Sequence, residues 1–326
     1  MATPPIAGVA RGTGAVRRSR PSRRTPWRLV ILFLSPWAIG FLVFIVYPMV
    51  TSLYFSFTHY DLLSTPRWIG LDNYKFMFTK DAFFWLSVKN TVWIVAVGVS
   101  VRILFAIATA TLLTRPRRGI KGYRTMFFLP SMAPPVAAAL AFVYLLNPAF
   151  GPLNQLLSSA GVADPPLWFF SPSTSKWGLV ILGLWGVGDA MIIFLAGLLD
   201  VPRQLYEAAD IEGAGPWQKF RSVTLPMISP VIFFSLVTGI IWGFQYFTQA
   251  YVTSTVNATS KTSLGYPEGS LLFYSVYLYQ QGFSYFKMGY ASALAWVLFV
   301  VTMACTLVMI RTSRRWVHYQ GGEMFR

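Results

Sequence analysis

Two charged residues, Arg102 and Asp189, lie near the middle of long apolar runs. An unpaired charge at the centre of a membrane helix costs about 2.5–3.5 kcal/mol on insertion scales, so neither side chain is expected to face lipid. Two interpretations stay open: the residues neutralise each other within a helix bundle, or they line a pathway. A proton relay is disfavoured because the apolar runs from residue 90 onward hold no histidine and no carboxylate other than Asp189.

Aromatic and polar side chains also occur together in the later apolar runs, in the one that holds Asp189 and in the next. A sugar ring stacks its C–H face on an aromatic ring, while its hydroxyl groups need directional hydrogen-bond partners. The candidates for a solute pathway are Trp185, Asp189, Trp242, Gln245 and Tyr246. The apolar run 124–146 contains Pro130, Pro134 and Pro135, and the apolar run 227–250 contains Pro230, Gly239 and Gly243. Freed backbone groups at these residues favour a cavity, although kinks that serve packing alone are the alternative.

Catalytic and cofactor chemistry is not indicated. The sequence has no phosphate-binding G-x-x-x-x-G-K-[ST] motif, no nucleophile elbow and no H-E-x-x-H motif. A single cysteine, Cys305, lies in an apolar run, which argues against a metal cluster or an intrachain disulfide. We therefore predict no enzyme activity, no cofactor and no metal.

Composition indicates an all-α, polytopic membrane protein. Hydrophobic residues make up 55% of the 326 residues and charged residues only 12%, so lipid must solvate much of the chain. The net charge of +16 comes from basic residues beside apolar runs, with no nucleic-acid-binding signature, and we predict lipid and not nucleic acid as the partner.

Six apolar runs are long enough to span a bilayer, which takes about 20 residues. The predicted spans are Leu29–Val50 and residues 90–113, 124–146, 177–199, 227–250 and 289–310. Residues 1–28 read as a disordered basic cytoplasmic tail, residues 29–312 as the transmembrane domain and residues 313–326 as a cytoplasmic tail. Lys and Arg number 19 on the side of both termini and 7 on the other side. This bias predicts cytoplasmic termini.

A polar segment between the fourth and fifth spans reads as helix, turn, helix. Asp200 is expected to cap the first helix, with Pro202 in its opening turn, and Pro216 to open the second. The letters E-A-A, three residues, G, nine residues, then an aliphatic residue, any residue and L-P follow one another here. The matching positions are Glu207, Ala208, Ala209, Gly213, Val223, Leu225 and Pro226.

This spacing resembles the EAA loop of ABC importer permeases, and we call residues 207–226 the EAA loop. Asn147-Pro148-Ala149-Phe150-Gly151-Pro152 and Phe286-Lys287-Met288-Gly289-Tyr290-Ala291 are similar to segments of the carbohydrate branch of that family. After Tyr251 the chain departs from the family's usual turn, which leaves the shape of this loop open. The resemblance also favours substrate contacts around Trp242 to Phe247 and in the span before the EAA loop.

The resemblance implies a subunit of a prokaryotic cytoplasmic-membrane importer that carries a sugar or related solute. Its implied partners are a second permease subunit, two ATPase subunits that receive the EAA loop, and an extracytoplasmic solute-binding protein. A heteromeric pair of permeases is favoured over a homodimer. The alternative is a stand-alone secondary transporter or channel, but ion-coupling carboxylates within the spans are limited to Asp189, and no internal repeat is evident.

Overall fold

The computed structural model describes residues 27–257 and 265–318. Most of the predicted basic tail, residues 1–28, and the end of the predicted tail 313–326 lie outside these ranges. The all-α prediction is confirmed, because the strands in the described ranges are a single antiparallel pair, Thr58–His59 with Arg67–Trp68. Thr58 pairs with Trp68 and His59 with Arg67.

Long apolar helices account for the predicted spans. Four helices are long and apolar enough to cross a membrane, and two bent pairs bring the count to as many as six if each pair is one span. The four helices are Val30–Ser56, Ala82–Thr114, Ser229–Asn257 and Met288–Ser313. The bent pairs are Ile120–Met132 with Pro135–Leu145, and Ser175–Trp185 with Gly188–Leu199. Each predicted apolar run therefore coincides with one of these elements.

The two bends have different local causes. Ile120–Met132 and Pro135–Leu145 meet at 99°, and Ala133 before the prolines is extended, as the residue preceding a proline usually is. Ser175–Trp185 and Gly188–Leu199 meet at 53°. A Cβ on Gly188 would lie 2.5 Å from the carbonyl oxygen of Phe127, so glycine permits a close approach of backbone to backbone.

Shorter helices connect these elements. The short α-helices are Asp72–Thr79, Pro152–Ser159, Arg203–Ile211, Pro216–Lys219, Leu225–Met227 and Tyr274–Tyr279. The 3₁₀ segments are Leu129–Met132 and Trp168–Phe170, and the π-helical segments are Leu42–Val46, Ile94–Gly98, Phe220–Thr224 and Gln280–Ser284. π-Helical turns occur mostly as local bulges within α-helices, as the first three do here, whereas Gln280–Ser284 ends its helix.

Two apolar clusters form the core of residues 52–318. One contains the fully buried side chains of Phe169, Leu271, Leu272, Phe273 and Leu294. The other joins the helices Val99–Thr114 and Gly188–Leu199 through side chains that include Ala106, Ala110, Met191, Phe194 and Ile228. Because Val99–Thr114 carries Arg102 and Gly188–Leu199 carries Asp189, the second cluster fixes the two charged residues relative to each other.

The sequence left open the shape of the loop after Tyr251. This loop contains residues 265–284, which we call the buried segment. The segment begins with an irregular stretch and continues as the helix Tyr274–Tyr279. Leu271, Leu272, Phe273 and Val276 are fully buried. Residues 258–264 lie outside the described ranges. The described part of this loop is therefore a core element.

Candidate functional site: a charged cavity and the EAA loop

A cavity of about 330 Å³ lies among four helices, Ala82–Thr114, Ser175–Trp185, Gly188–Leu199 and Ser229–Asn257. Much of its wall is aliphatic or aromatic, contributed by side chains such as Ile94, Val99, Leu179, Val180, Ile193 and Phe234. The side chains with polar groups are Arg102, Asp189, Ser235, Thr238, Trp242 and Tyr246. An apolar wall with a few convergent polar groups is the usual form of a small-molecule site.

Arg102 and Asp189 form an ion pair in this cavity, with 2.6 Å between Nη2 and Oδ1. Their side chains remain 41% and 58% exposed. The two residues therefore neutralise each other and also line the cavity, and a role in a solute pathway stays a prediction. Asp189 also lies in the first turn of Gly188–Leu199, where the helix dipole favours a negative charge. The Nε of Arg102 is buried and has no hydrogen-bond partner within the described ranges.

Trp242 lies on the helix Ser229–Phe244, and Tyr246 lies four residues later, in the break before the helix Thr248–Asn257. Trp242 is 72% exposed, whereas the Tyr246 ring packs edge-on against Phe273 at 5.5 Å. Gly239 and Gly243 let this helix approach the second one closely, since a Cβ on either would lie within 3.0 Å of Val99 or Val95. Because Trp242 is largely exposed, its ring offers a surface on which a ligand can stack.

Two of the five pathway candidates do not line this cavity. The Trp185 ring is 42% exposed and packs against Phe142 at 5.5 Å. Gln245 is exposed and lies in the short break between the helical stretches Ser229–Phe244 and Thr248–Asn257. The cavity therefore brings together Asp189, Trp242 and Tyr246, and it adds Arg102.

The EAA loop follows the predicted helix–turn–helix path, with the helices Arg203–Ile211 and Pro216–Lys219. Gly213 has φ of +75°, a conformation that glycine adopts without steric cost, and a Cβ there would meet nothing within 4 Å in the described chain. Glu207 is exposed and pairs with Arg203 at 3.1 Å. Ala208 is exposed and Ala209 is buried. Leu225 and Pro226 begin the short helix before the fifth span.

The predicted cap at Asp200 is wrong. Asp200 ends the preceding helix, Gly188–Leu199, and the next helix begins at Arg203 after Pro202. No side chain in the described ranges caps that start. The extended backbone at Pro202 separates the two helices, so the Asp200 carboxylate belongs to the end of one helix and not to the start of the other.

Large apolar side chains are exposed on the EAA loop. Ile211 is 89% exposed and Trp217 is 73% exposed, and Leu225 is 37% exposed. Tyr206, on the helix that leads into the loop, and Thr224, near the end of the loop, share a hydrogen bond of 2.9 Å between their hydroxyl oxygens. A Lys219–Asp210 ion pair joins the two short helices. The loop therefore has a defined internal geometry and an apolar surface that its own chain leaves open.

Sequence reasoning missed a buried acidic hub at Asp81. Its Oδ1 accepts hydrogen bonds from the backbone N–H groups of Phe83 and Phe84, at 3.0 and 3.1 Å. Its Oδ2 accepts hydrogen bonds from the Tyr277 and Tyr290 hydroxyl groups. Burial, and then the contact with Asp81, raises the pKa of Tyr277, which keeps its phenol a donor. The sequence D-A-F-F gives a helix-cap signal for Asp81 but no sign of the tyrosines.

Comparison with known proteins identifies the chain. Residues 102–317 match the family model for the binding-protein-dependent transport system inner membrane component. The chain belongs to this family. It is 42% identical over 315 residues to the probable ABC transporter permease protein YesP of Bacillus subtilis (strain 168), covering 96% of this chain and 98% of that protein.

Two further relatives agree with this assignment. The arabinooligosaccharides transport system permease protein AraP of Bacillus subtilis (strain 168) is 32% identical, over 86% of this chain and 87% of that protein. A crystal structure of a bacterial ABC transporter involved in the import of the acidic polysaccharide alginate aligns with a TM-score of 0.74 at 25% identity, covering 89% of this chain and 96% of that one. The family confirms a multi-pass membrane permease of an ABC importer, which is a transport subunit and not an enzyme.

Proposed function

We propose that this chain forms half of a saccharide pathway through the cytoplasmic membrane and that Asp189, Trp242 and Tyr246 contact the solute in it. The observation that carries the proposal is the cavity of about 330 Å³, in which an exposed tryptophan faces a wall with charged and hydroxyl groups. Such a wall offers one surface for stacking and several hydrogen-bond partners. AraP, named for arabinooligosaccharide transport, supports a saccharide as the class of solute.

The EAA loop is proposed to dock on an ATPase subunit. Its helices expose Ile211 and Trp217, and exposed apolar groups of this size mark interaction surfaces in soluble regions. Glu207 adds a negative charge beside this surface, and Gly213 turns the chain without adding a side chain. Two ATPase subunits, a second permease subunit and an extracytoplasmic solute-binding protein complete the proposed complex. The charge bias supports placing both termini and the EAA loop in the cytoplasm.

Purification of the complex through this chain tests the proposal. ATPase subunits should co-purify, and proteoliposomes with the binding protein outside should take up labelled lactose or another neutral oligosaccharide only with ATP inside. Uptake without an ATPase subunit and indifferent to ATP would replace the importer by a secondary transporter.

Single substitutions then test the cavity. Trp242→Ala should lower uptake at least about tenfold, since stacking on an aromatic ring is lost, while assembly with the ATPase stays intact. Gln245→Ala, which lies close by in sequence but outside the cavity lining, is the matched comparison. Wild-type uptake in Trp242→Ala would remove this cavity from the pathway, and a loss confined to Gln245→Ala would move the pathway to the other side of the helix.

A further inference from the structure

The cavity has a charge balance that the proposed function does not require. Within the described ranges, Arg102 and Asp189 are the only charged residues that line it, and they pair with each other at 2.6 Å. An arginine side chain stays protonated in proteins, so the positive charge is permanent and the carboxylate opposite cancels it. We infer that Arg102 is a specificity-determining residue whose pairing with Asp189 makes the cavity accept uncharged saccharides and reject anionic ones. This inference rests on the proposed function for the identity of the solute.

Rejection follows from the cost of removing an anion from water. A carboxylate in a partly apolar cavity needs a counter-charge that is free to bind it. The guanidinium of Arg102 is already engaged by Asp189, and an entering carboxylate would also meet the negative charge of Asp189 at close range. An anionic saccharide therefore gains no net attraction that offsets the water it loses.

Acceptance of a neutral sugar follows from the groups that the pair leaves free. In the pair itself one oxygen of Asp189 and one terminal nitrogen of Arg102 are joined, which leaves further acceptor and donor positions. Hydroxyl groups both donate and accept, so neighbouring hydroxyls of one ring can bind both members of the pair through charge-assisted hydrogen bonds.

A thiol placed in the cavity measures this charge balance directly. Cys305 is the only cysteine in the sequence, so Cys305→Ser gives a cysteine-free chain, and Ser235→Cys then places one thiol in the cavity lining. The complete importer is treated with the anionic sulfonatoethyl and the cationic trimethylammonioethyl methanethiosulfonate. The measured quantity is the ratio of the anionic to the cationic reaction rate, corrected by the same ratio for a free thiol.

In this parent chain the corrected ratio should be within about threefold of one, because the pair carries no net charge. Asp189→Asn unmasks the guanidinium and should raise the ratio at least about tenfold, as a full charge in a cleft does to local ion concentration. The double variant Arg102→Gln with Asp189→Asn removes both charges and should return the ratio to the parent value. It also provides a neutral control should Asp189→Asn fold poorly. A parent ratio that differs more than threefold from that of the double variant would overturn the inference.

Protection of the same thiol by two disaccharides tests the selectivity. Lactose should slow modification of the parent chain and digalacturonate should not, whereas Asp189→Asn should gain protection by digalacturonate. Equal protection of the parent chain by both sugars would overturn the selectivity. The importer proposal fails separately, through ATP-independent uptake, and the reaction-rate ratios do not depend on that result.

Discussion

The buried segment, residues 265–284, and the EAA loop, residues 207–226, are built from similar elements but differ in how much of their apolar surface is buried. Both connect apolar helices, and both contain short helices and a π-helical turn, at Gln280–Ser284 and Phe220–Thr224. The buried segment hides Leu271, Leu272 and Phe273 completely, whereas the EAA loop exposes Ile211 and Trp217. The first is completed by its own chain, and we propose that the second is completed by a partner.

The polar groups show the same contrast. Asn90 donates from Nδ2 to the carbonyl oxygens of Gly269 and Leu272, at 2.8 and 2.9 Å, and Thr91 accepts from the backbone N–H of Tyr274 at 2.8 Å. All three bonds are buried. In the EAA loop the charged Glu207 pairs with Arg203 alone among the described residues, on an exposed surface where an ion pair contributes at most about 1 kcal/mol. Substitutions in the buried segment or its supports should therefore act on stability, and those in the loop on assembly.

The largest effect is expected from Asp81→Ala. The change leaves two backbone N–H groups and two phenols without their acceptor, and each unsatisfied buried group costs about 1–3 kcal/mol, so we expect about 4 kcal/mol or more of lost stability. Thermal unfolding in detergent measures it. Asp72→Ala is the control, since Asp72 is exposed and pairs weakly with Lys75. Equal thermal unfolding midpoints for the two variants would show that the hydrogen bonds of Asp81 do not stabilise the fold.

Asn90→Leu should have the next largest effect. It removes both hydrogen bonds to the buried segment while keeping a side chain of similar size, and two unpaired carbonyl groups in the core should cost about 2 kcal/mol or more. The same unfolding measurement applies, with ATPase retention measured alongside. Loss of the ATPase from a chain of unchanged stability would contradict the assignment of this segment to the scaffold.

Gly213→Asp tests the other region of the comparison, the EAA loop, where we expect an effect on assembly and not on stability. A side chain at this position meets open space in the described chain, and aspartate tolerates a positive φ better than most residues, so the unfolding midpoint should move little. The added bulk and charge at the docking surface should nevertheless lower ATP-dependent uptake at least about tenfold, about 1.4 kcal/mol of interaction. ATPase retention and uptake are measured in one preparation.

Gly213→Asn separates the two roles of this glycine. Asparagine also accepts the left-handed conformation and terminates helices, so it should be nearly silent if Gly213 only ends a helix. A loss of ATPase binding in this variant would indicate that the partner approaches too closely for any side chain. Full uptake with Gly213→Asp would instead mean that the loop is not a tight docking element.

The sequence predicts the helices well because their signal is local. Each apolar run is long enough for a span, and the prolines at 134 and 135 mark the sharper bend without any tertiary information. The close approach at Gly188 depends on which backbone lies opposite, and the sequence carries no sign of it. Elements with a local cause were therefore predictable, and elements with a partner elsewhere in the chain were not.

The same distinction applies to the candidate site. Arg102 and Asp189 are 87 positions apart, and their pairing depends on which helix faces meet. Composition groups Trp185 and Gln245 with Trp242, but neither of the first two lines the cavity, and the Trp185 ring packs against Phe142 instead. Asp81 was predictable as a helix cap only. The residues were recognisable by type, and their association required the fold.

The smallest effect is expected from Tyr206→Phe, just before the EAA loop. The change removes one hydroxyl and its hydrogen bond to Thr224, and a bond between two neutral, partly buried hydroxyl groups contributes about 0.5–1.5 kcal/mol. We expect the lower end, since the buried hydroxyl of Thr224 keeps a hydrogen bond to the carbonyl oxygen of Lys219 at 3.5 Å. A double-mutant cycle with Thr224→Val isolates the bond from other consequences of either change.

The cycle is best measured twice, on the isolated chain and on the complex with the ATPase. If the loop is completed by a partner, the coupling energy in the isolated chain should stay below about 1 kcal/mol, the lower part of the range for one hydrogen bond between neutral groups. In the complex the coupling energy should rise, because a docked partner destabilises loop conformations that differ from the bound one. A coupling in the isolated chain as large as the loss from Asp81→Ala would mean that both regions are scaffold, and the contrast between them would disappear.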